Sequence, residues 1–259
     1  MNESGAVRSL RRRVVGVGAV AWVGLVVGYA LLSGVAAARP WALVAAAVVG
    51  AELVYLRSHV GANRTSRDAP LRARLGVANL ATLGRGALLG VLAGFVTVAW
   101  TDGPAALAWA PAGVYALAAA LDYADGTLAR SIGAESRLGE RLDAEFDALG
   151  ILVGAVVGAA AGQVPVWYCA VGLVKYAYVA ARWLRLRRGL PVAPLPPRAS
   201  RRMLAGLQMA FLAAALSPAL VPEAAYAYAP LVGGAYLVGF LRDWGHATGR
   251  LPAALTPPG

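Results

Sequence analysis

Between Asp122 and Asp147 the chain reads DYADGTLARSIGAESRLGERLDAEFD and carries seven of its thirteen acidic residues. Asp122 and Asp125 stand at i, i+3, and Asp143 and Asp147 at i, i+4. Residues so spaced share one face of a helix, one turn apart. Two such pairs on neighbouring helices would aim four carboxylates into one small space. Like charges that close repel, so the arrangement calls for a cation. Gly126 and Ala129 follow the first pair and Gly139 precedes the second. Small residues there let a flat ligand or another helix approach the backbone. Arg130 adds a forked donor suited to phosphate oxygens. Metal, phosphate and a close-fitting group together describe a nucleotide-diphosphate site.

The elements that must hold these residues are apolar. Of 259 residues, 59% are hydrophobic and 14% charged, against about 25% charged in a soluble domain. Apolar runs of ~20 residues, each long enough to cross a bilayer, recur throughout. The expected fold is all-α, a polytopic helical membrane protein. The net charge of +11 does not point to nucleic acid. Its arginines cluster between apolar runs, as at Arg11 to Arg13, Arg64 to Arg74 and Arg182 to Arg202. That is the pattern of cytoplasmic loops facing anionic lipid. Cys169, the sole cysteine, has no partner for an intramolecular disulfide.

Taken in order, residues 14–38 read as a first span, too long for a signal-peptide core of ~7–15 residues. Arg39-Pro40 reads as a break before a second span at 41–56. Glu52 lies within that span, where an acid costs about 2.5–3.5 kcal/mol when central. Near the interface, snorkelling or pairing with Arg57 accounts for it. Residues 57–76 form a basic linker. The third span opens at Asn79, with Thr82 and Arg85 on roughly one face, and ends near Trp100. The fourth, from about 105, runs into Asp122 without a break, and the fifth starts near Leu138. Spans six (166–183), seven (203–220) and eight (225–241) follow, with a basic, proline-rich loop at 184–202. Eight spans with both termini cytoplasmic satisfy every basic loop.

The pattern Asp122-x-x-Asp125-Gly126-x-x-Ala129-Arg130, then Gly139-x-x-x-Asp143-x-x-x-Asp147, resembles the signature of the CDP-alcohol phosphotransferase family. Asn79 to Arg85 is similar to the start of that family's first core helix. The resemblance covers residues 75–243 as a six-helix core. It leaves 1–74 as an extension with two transmembrane helices and 244–259 as a cytoplasmic tail. It implies a multi-pass enzyme of the plasma membrane, a homodimer with its site at the cytoplasmic face and no nucleic acid partner. The donor would be CDP-diacylglycerol or another CDP-linked lipid, the acceptor a small hydroxyl compound, and CMP the leaving group. Asp122, Asp125, Asp143 and Asp147 would hold two Mg2+ or Mn2+ ions, with Asp147 as general base. Gly126, Ala129, Arg130 and Gly139, with Asp122, Asn79 and Thr82, would bind the nucleotide. Arg137, Lys175, Arg182 and Arg185 would be the candidates for holding a phosphorylated acceptor. Asp147 is followed by Ala148-Leu149-Gly150 where glycerophosphate and inositol-phosphate enzymes commonly carry a basic residue. The stretches LDAEFDALGILV, KYAYVAARW and LPPRASRR look closer to a poorly characterised prokaryotic subgroup.

Two other readings compete. Intramembrane prenyltransferases also use metal and diphosphate, but their acidic motifs lie on distant helices. A cation transporter would place its acids near the bilayer midplane on broken helices, whereas these sit at a cytoplasmic helix end.

Overall fold

The computed structural model describes residues 35–66, 68–72, 75–101, 105–131, 136–195 and 199–251, with isolated positions before residue 35; within 124–131 it describes the backbone only. Seven α-helices are formed there: α1 (Val35–His59), α2 (Val77–Gly94), α3 (Ala105–Ser131), α4 (Arg137–Ala160), α5 (Cys169–Arg187), α6 (Ala199–Ala215) and α7 (Pro222–Ala247). The described residues contain no strand. Among the described residues, four apolar stretches, Arg39–Ala62, Asn79–Thr97, Ala105–Tyr123 and Pro222–Ala247, are long enough to cross a bilayer. The protein is a polytopic helical membrane protein. Most of the expected first span, 14–38, lies outside the described residues.

Arg39-Pro40 does not break the chain, contrary to expectation. α1 runs through Pro40. Proline removes one backbone donor, but unwinding in lipid would strand several unsatisfied peptide groups. One lost bond near the start of the described helix is the smaller cost. Proline is likewise carried inside α3 at Pro111 and α7 at Pro230. At its other end α1 reaches His59, and a 3-10 turn at Val60–Ala62 begins the linker. α5 also outlasts its expected end, continuing to Arg187 before the loop.

α2 is the centre of the functional half. It packs against α1, α3 and α4, whereas α3 and α4, neighbours in sequence, touch each other only sparsely. The two carboxylate helices are therefore held together through a third element. Leu89 of α2, Ala118 of α3 and Leu138, Leu142 and Phe146 of α4 bury one apolar cluster that Leu56 and Val60 complete from α1 and its 3-10 turn. A larger cluster joins α2, α3 and α4 to α6 and α7 through Leu92, Tyr115, Ile151, Leu212 and Ala229.

The seam between α1 and α2 is made by Gly86, Gly90 and Gly94, spaced at i, i+4, i+8. A methyl group at each would meet Glu52, Val49 and Trp41 of α1 in turn. Without hydrophobic drive between helices in lipid, such close backbone approach is a main source of association. Gly90 is a direct test of backbone approach, because an added Cβ would also lie 3.2 Å from the Ala45 carbonyl oxygen. Gly90→Leu is expected to lower stability by about 1–3 kcal/mol, the usual cost of overpacking. A fall in the thermal unfolding midpoint of the detergent-solubilised protein checks this.

Candidate active site

Arg85 is the residue on which the site closes. Its side chain is 2% exposed, two turns inside an apolar helix. One terminal nitrogen, Nη1, donates to Asp122 Oδ1 on α3, and the other, Nη2, donates to Asp147 Oδ1 on α4 at 2.5 Å. The two carboxylates are about one-third exposed, at 32% and 37%. The guanidinium beneath them is almost fully covered. One turn toward the start of α2, Thr82 Oγ1 donates to Asp143 Oδ1 at 3.3 Å. Three of the four motif aspartates are thus drawn to one face of α2. Asp125, Gly126, Ala129 and Arg130 lie on α3, and their side chains fall outside the described residues.

The face expected for Asn79, Thr82 and Arg85 divides in two. Asn79 lies about 120° around the helix from Arg85 at 100° per residue, and it turns toward the linker. Its Nδ2 donates to Asn63 Oδ1 at 3.2 Å, and its Oδ1 accepts from Ser136 Oγ at 3.4 Å. Asn63 in turn donates to the Arg72 carbonyl at 3.0 Å. Ser136 caps α4 by accepting from the Gly139 amide at 3.0 Å, satisfying one otherwise unpaired amide of the first turn. A Cβ on Gly139 would stand 3.1 Å from Asn79 Oδ1. Gly139 keeps this corner compact.

The four basic residues considered for an acceptor have different surroundings. Lys175 of α5 donates to the Ala144 carbonyl and to Glu145 Oε2, the latter at 3.1 Å. Glu145 is about 160° around α4 from Asp143 and Asp147, so Lys175 is held on the far side of that helix. Arg185 donates to the Pro191 carbonyl at 2.9 Å and to the Thr248 carbonyl at 3.5 Å. Arg182 is exposed. Arg137 is half-buried, and its amide donates to the Arg64 carbonyl at 3.0 Å. Among the described residues, no three His, Cys, Asp or Glu side chains form a group that could hold a metal.

The family model for CDP-alcohol phosphatidyltransferase matches residues 75–240. The chain belongs to this family. CDP-alcohol phosphatidyltransferases transfer a phosphoalcohol group from a CDP-alcohol to an alcohol acceptor, so the chain is a transferase of phospholipid biosynthesis acting in the membrane. The matched region takes in α2 through most of α7, with every aspartate of the site, and leaves α1 outside it. No curated protein matches the chain.

Sequence reasoning set Arg85 beside Asn79 and Thr82 but gave it no role. The signal was present: a cation inside an apolar span is costly and needs partners. Glu52 was expected to snorkel or pair with Arg57. It is instead 5% exposed and packs beside Gly86 of α2. Arg57 lies about 140° around α1 from it and is exposed.

Removing one partner of a buried ion pair leaves the others uncompensated. Arg85→Met should therefore destabilise the protein in metal-free detergent. The loss is expected near 1–3 kcal/mol, below the value for fully buried pairs because the two aspartates are partly solvated. Arg85→Lys, which has no fork to span both carboxylates, should recover only part of it. Thermal unfolding of the three proteins side by side checks the order.

Proposed function

We propose that the protein transfers a phosphatidyl group from CDP-diacylglycerol to a small alcohol at the cytoplasmic face of the plasma membrane, releasing CMP in a reaction that depends on Mg2+ or Mn2+. The observation that carries this reading is the convergence of Asp122 and Asp147, from separate helices, on one guanidinium, within the region of the family match. The donor chemistry fits the metal: Asp122, Asp143 and Asp147 offer hard carboxylate oxygens, the ligand type that suits Mg2+ and Mn2+. Asp125 would complete the set. A bound divalent cation would neutralise the diphosphate and stabilise the departing CMP.

The chain's own residues do the rest. Asp147 accepts the proton of the acceptor hydroxyl as its oxygen attacks the phosphorus carrying the diacylglycerol, and the bond from that phosphorus to the CMP oxygen breaks. A carboxylate within reach of that hydroxyl supplies base catalysis of about 10²–10⁴-fold. Arg85 orients Asp147 by holding Oδ1, and Thr82 orients Asp143 in the same way. Gly126 and Ala129 would leave room for the nucleotide, Gly139 would line it through its backbone, and Arg130 would offer donors to its phosphates. Lys175, Arg137, Arg182 and Arg185 are the candidates for contact with an acceptor phosphate, and the first stands apart from the aspartates.

With purified protein and CDP-diacylglycerol, Asp147→Asn is expected to reduce CMP release at least 10²-fold while CDP still binds. Turnover near the wild-type rate would remove Asp147 as the base. EDTA should stop the wild-type reaction and Mn2+ or Mg2+ restore it; transfer that persists in chelator would contradict the metal. Running the same assay against inositol phosphate, glycerol phosphate, serine and simple polyols identifies the acceptor.

A further inference from the structure

Tyr115 takes no part in the reaction above. It is buried on α3, and its hydroxyl has no hydrogen-bond partner among the described residues. A buried hydroxyl left unpaired costs roughly 1–3 kcal/mol, so such a group calls for an explanation. Asp122 follows Tyr115 by seven residues. At about 100° and 1.5 Å per residue, both lie on one face of α3, about 10 Å apart along its axis. On α4, Gly150 follows Asp147 by three residues, close to one turn.

A small cavity joins Tyr115 to Arg85. Residues of α2, α3, α4 and α6 bound it, and both side chains line it, with Leu89, Ala118, Gly150 and Met209 among its walls. Tyr115 and Arg85 supply the only hydroxyl and N–H side-chain groups of that lining. The room for the centre of a water molecule is about 10 Å³. Hydrogen-bonded oxygens stand about 2.8 Å apart, so this space suits a single water and not a cluster. Arg85 has five N–H groups, and the bonds to Asp122 and Asp147 draw on one at each terminal nitrogen. Donors remain for a water that also meets the Tyr115 hydroxyl.

We infer that one buried water bridges the Tyr115 hydroxyl and the Arg85 guanidinium, which makes Tyr115 a positioning residue for Asp122 and Asp147. The water accepts from a guanidinium N–H and donates to Tyr115 Oη, so the hydroxyl is satisfied without movement of either side chain. Tyr115 acts through Arg85 and touches neither metal nor substrate. The two aspartates hold the guanidinium at its tip, and the water adds a third tether that keeps the fork from tilting toward one of them. The effect on turnover rests on the transferase reading above; the water does not.

Two variants of the full chain remove the water by different means. Tyr115→Phe deletes the hydroxyl. Gly150→Ala fills the space: an added Cβ would meet only Leu89 within reach, at 3.5 and 3.8 Å, so the methyl enters without a clash. With CDP-diacylglycerol, each is expected to lower kcat for CMP release about fivefold while KM changes less than twofold, because positioning is lost and donor binding is not. The double variant should lose no more than either single one, since both remove the same water. A crystal structure grown from a lipidic mesophase should show the water between Tyr115 and Arg85 in wild type and not in Tyr115→Phe. Wild-type kcat in Tyr115→Phe overturns the inference, and so do losses that multiply in the double variant. A dry cavity in wild-type crystals, or a Tyr115 hydroxyl bonded directly to protein, overturns it as well. A wild type that releases no CMP removes the transferase reading, and the crystal comparison then decides the inference alone.

Discussion

The structure turns on the repulsion between carboxylates gathered in a medium that solvates charge poorly. Asp122 and Asp147 belong to different helices that touch each other only sparsely among the described residues, so direct contact between those helices does little to hold them together. A single buried guanidinium on α2 joins them, with two donors in a fixed fork matched to two acceptors. The fork explains why the residue is arginine: a lysine offers a point charge and no such geometry. The position of α2 between the two carboxylate helices follows from the same need. The helix that carries the cation must lie where both anions can reach it.

A bilayer sharpens every part of this. Backbone groups must be satisfied within each helix, which is why α1, α3 and α7 carry prolines without opening. Some side-chain hydrogen bonds join elements where they meet. Asn63, Asn79 and Ser136 form one such set at the start of α4. Tyr168 and Gln208 form another deeper in the bundle, where Gln208 also donates to the Val232 carbonyl. Polar pairs of this kind join elements that apolar contact alone would leave free to slide.

The helical class and the four motif aspartates were legible because both are local patterns. Apolar runs are counted along the chain, and i, i+3 or i, i+4 spacing follows from the helix itself. α3 could be read as continuous from about Ala105 past Asp122 because the run between them is apolar and uncharged, with Pro111 carried inside it. Arg39-Pro40 was misread because the cost of opening a helix depends on its solvent and not on proline alone. The insertion of α2 between α3 and α4 left no local trace. Glu52 was misread for the same reason. Its nearest neighbours in sequence are on α1, while the glycine that admits it is 34 positions away on another helix.

α2 presents two neighbouring faces to two different sets of partners. Gly86, Gly90 and Gly94 meet α1, while Thr82 and Arg85 meet the aspartates. Because the faces are about 100° apart on one rigid rod, turning the rod to improve one seam spoils the other. The glycine seam therefore sets the torsional register of the helix that aims Arg85. A segment beyond the edge of the family's own domain thereby acts as a mechanical stop, and the angle at which the guanidinium meets its carboxylates is set by how deeply Trp41 and Val49 seat against bare backbone.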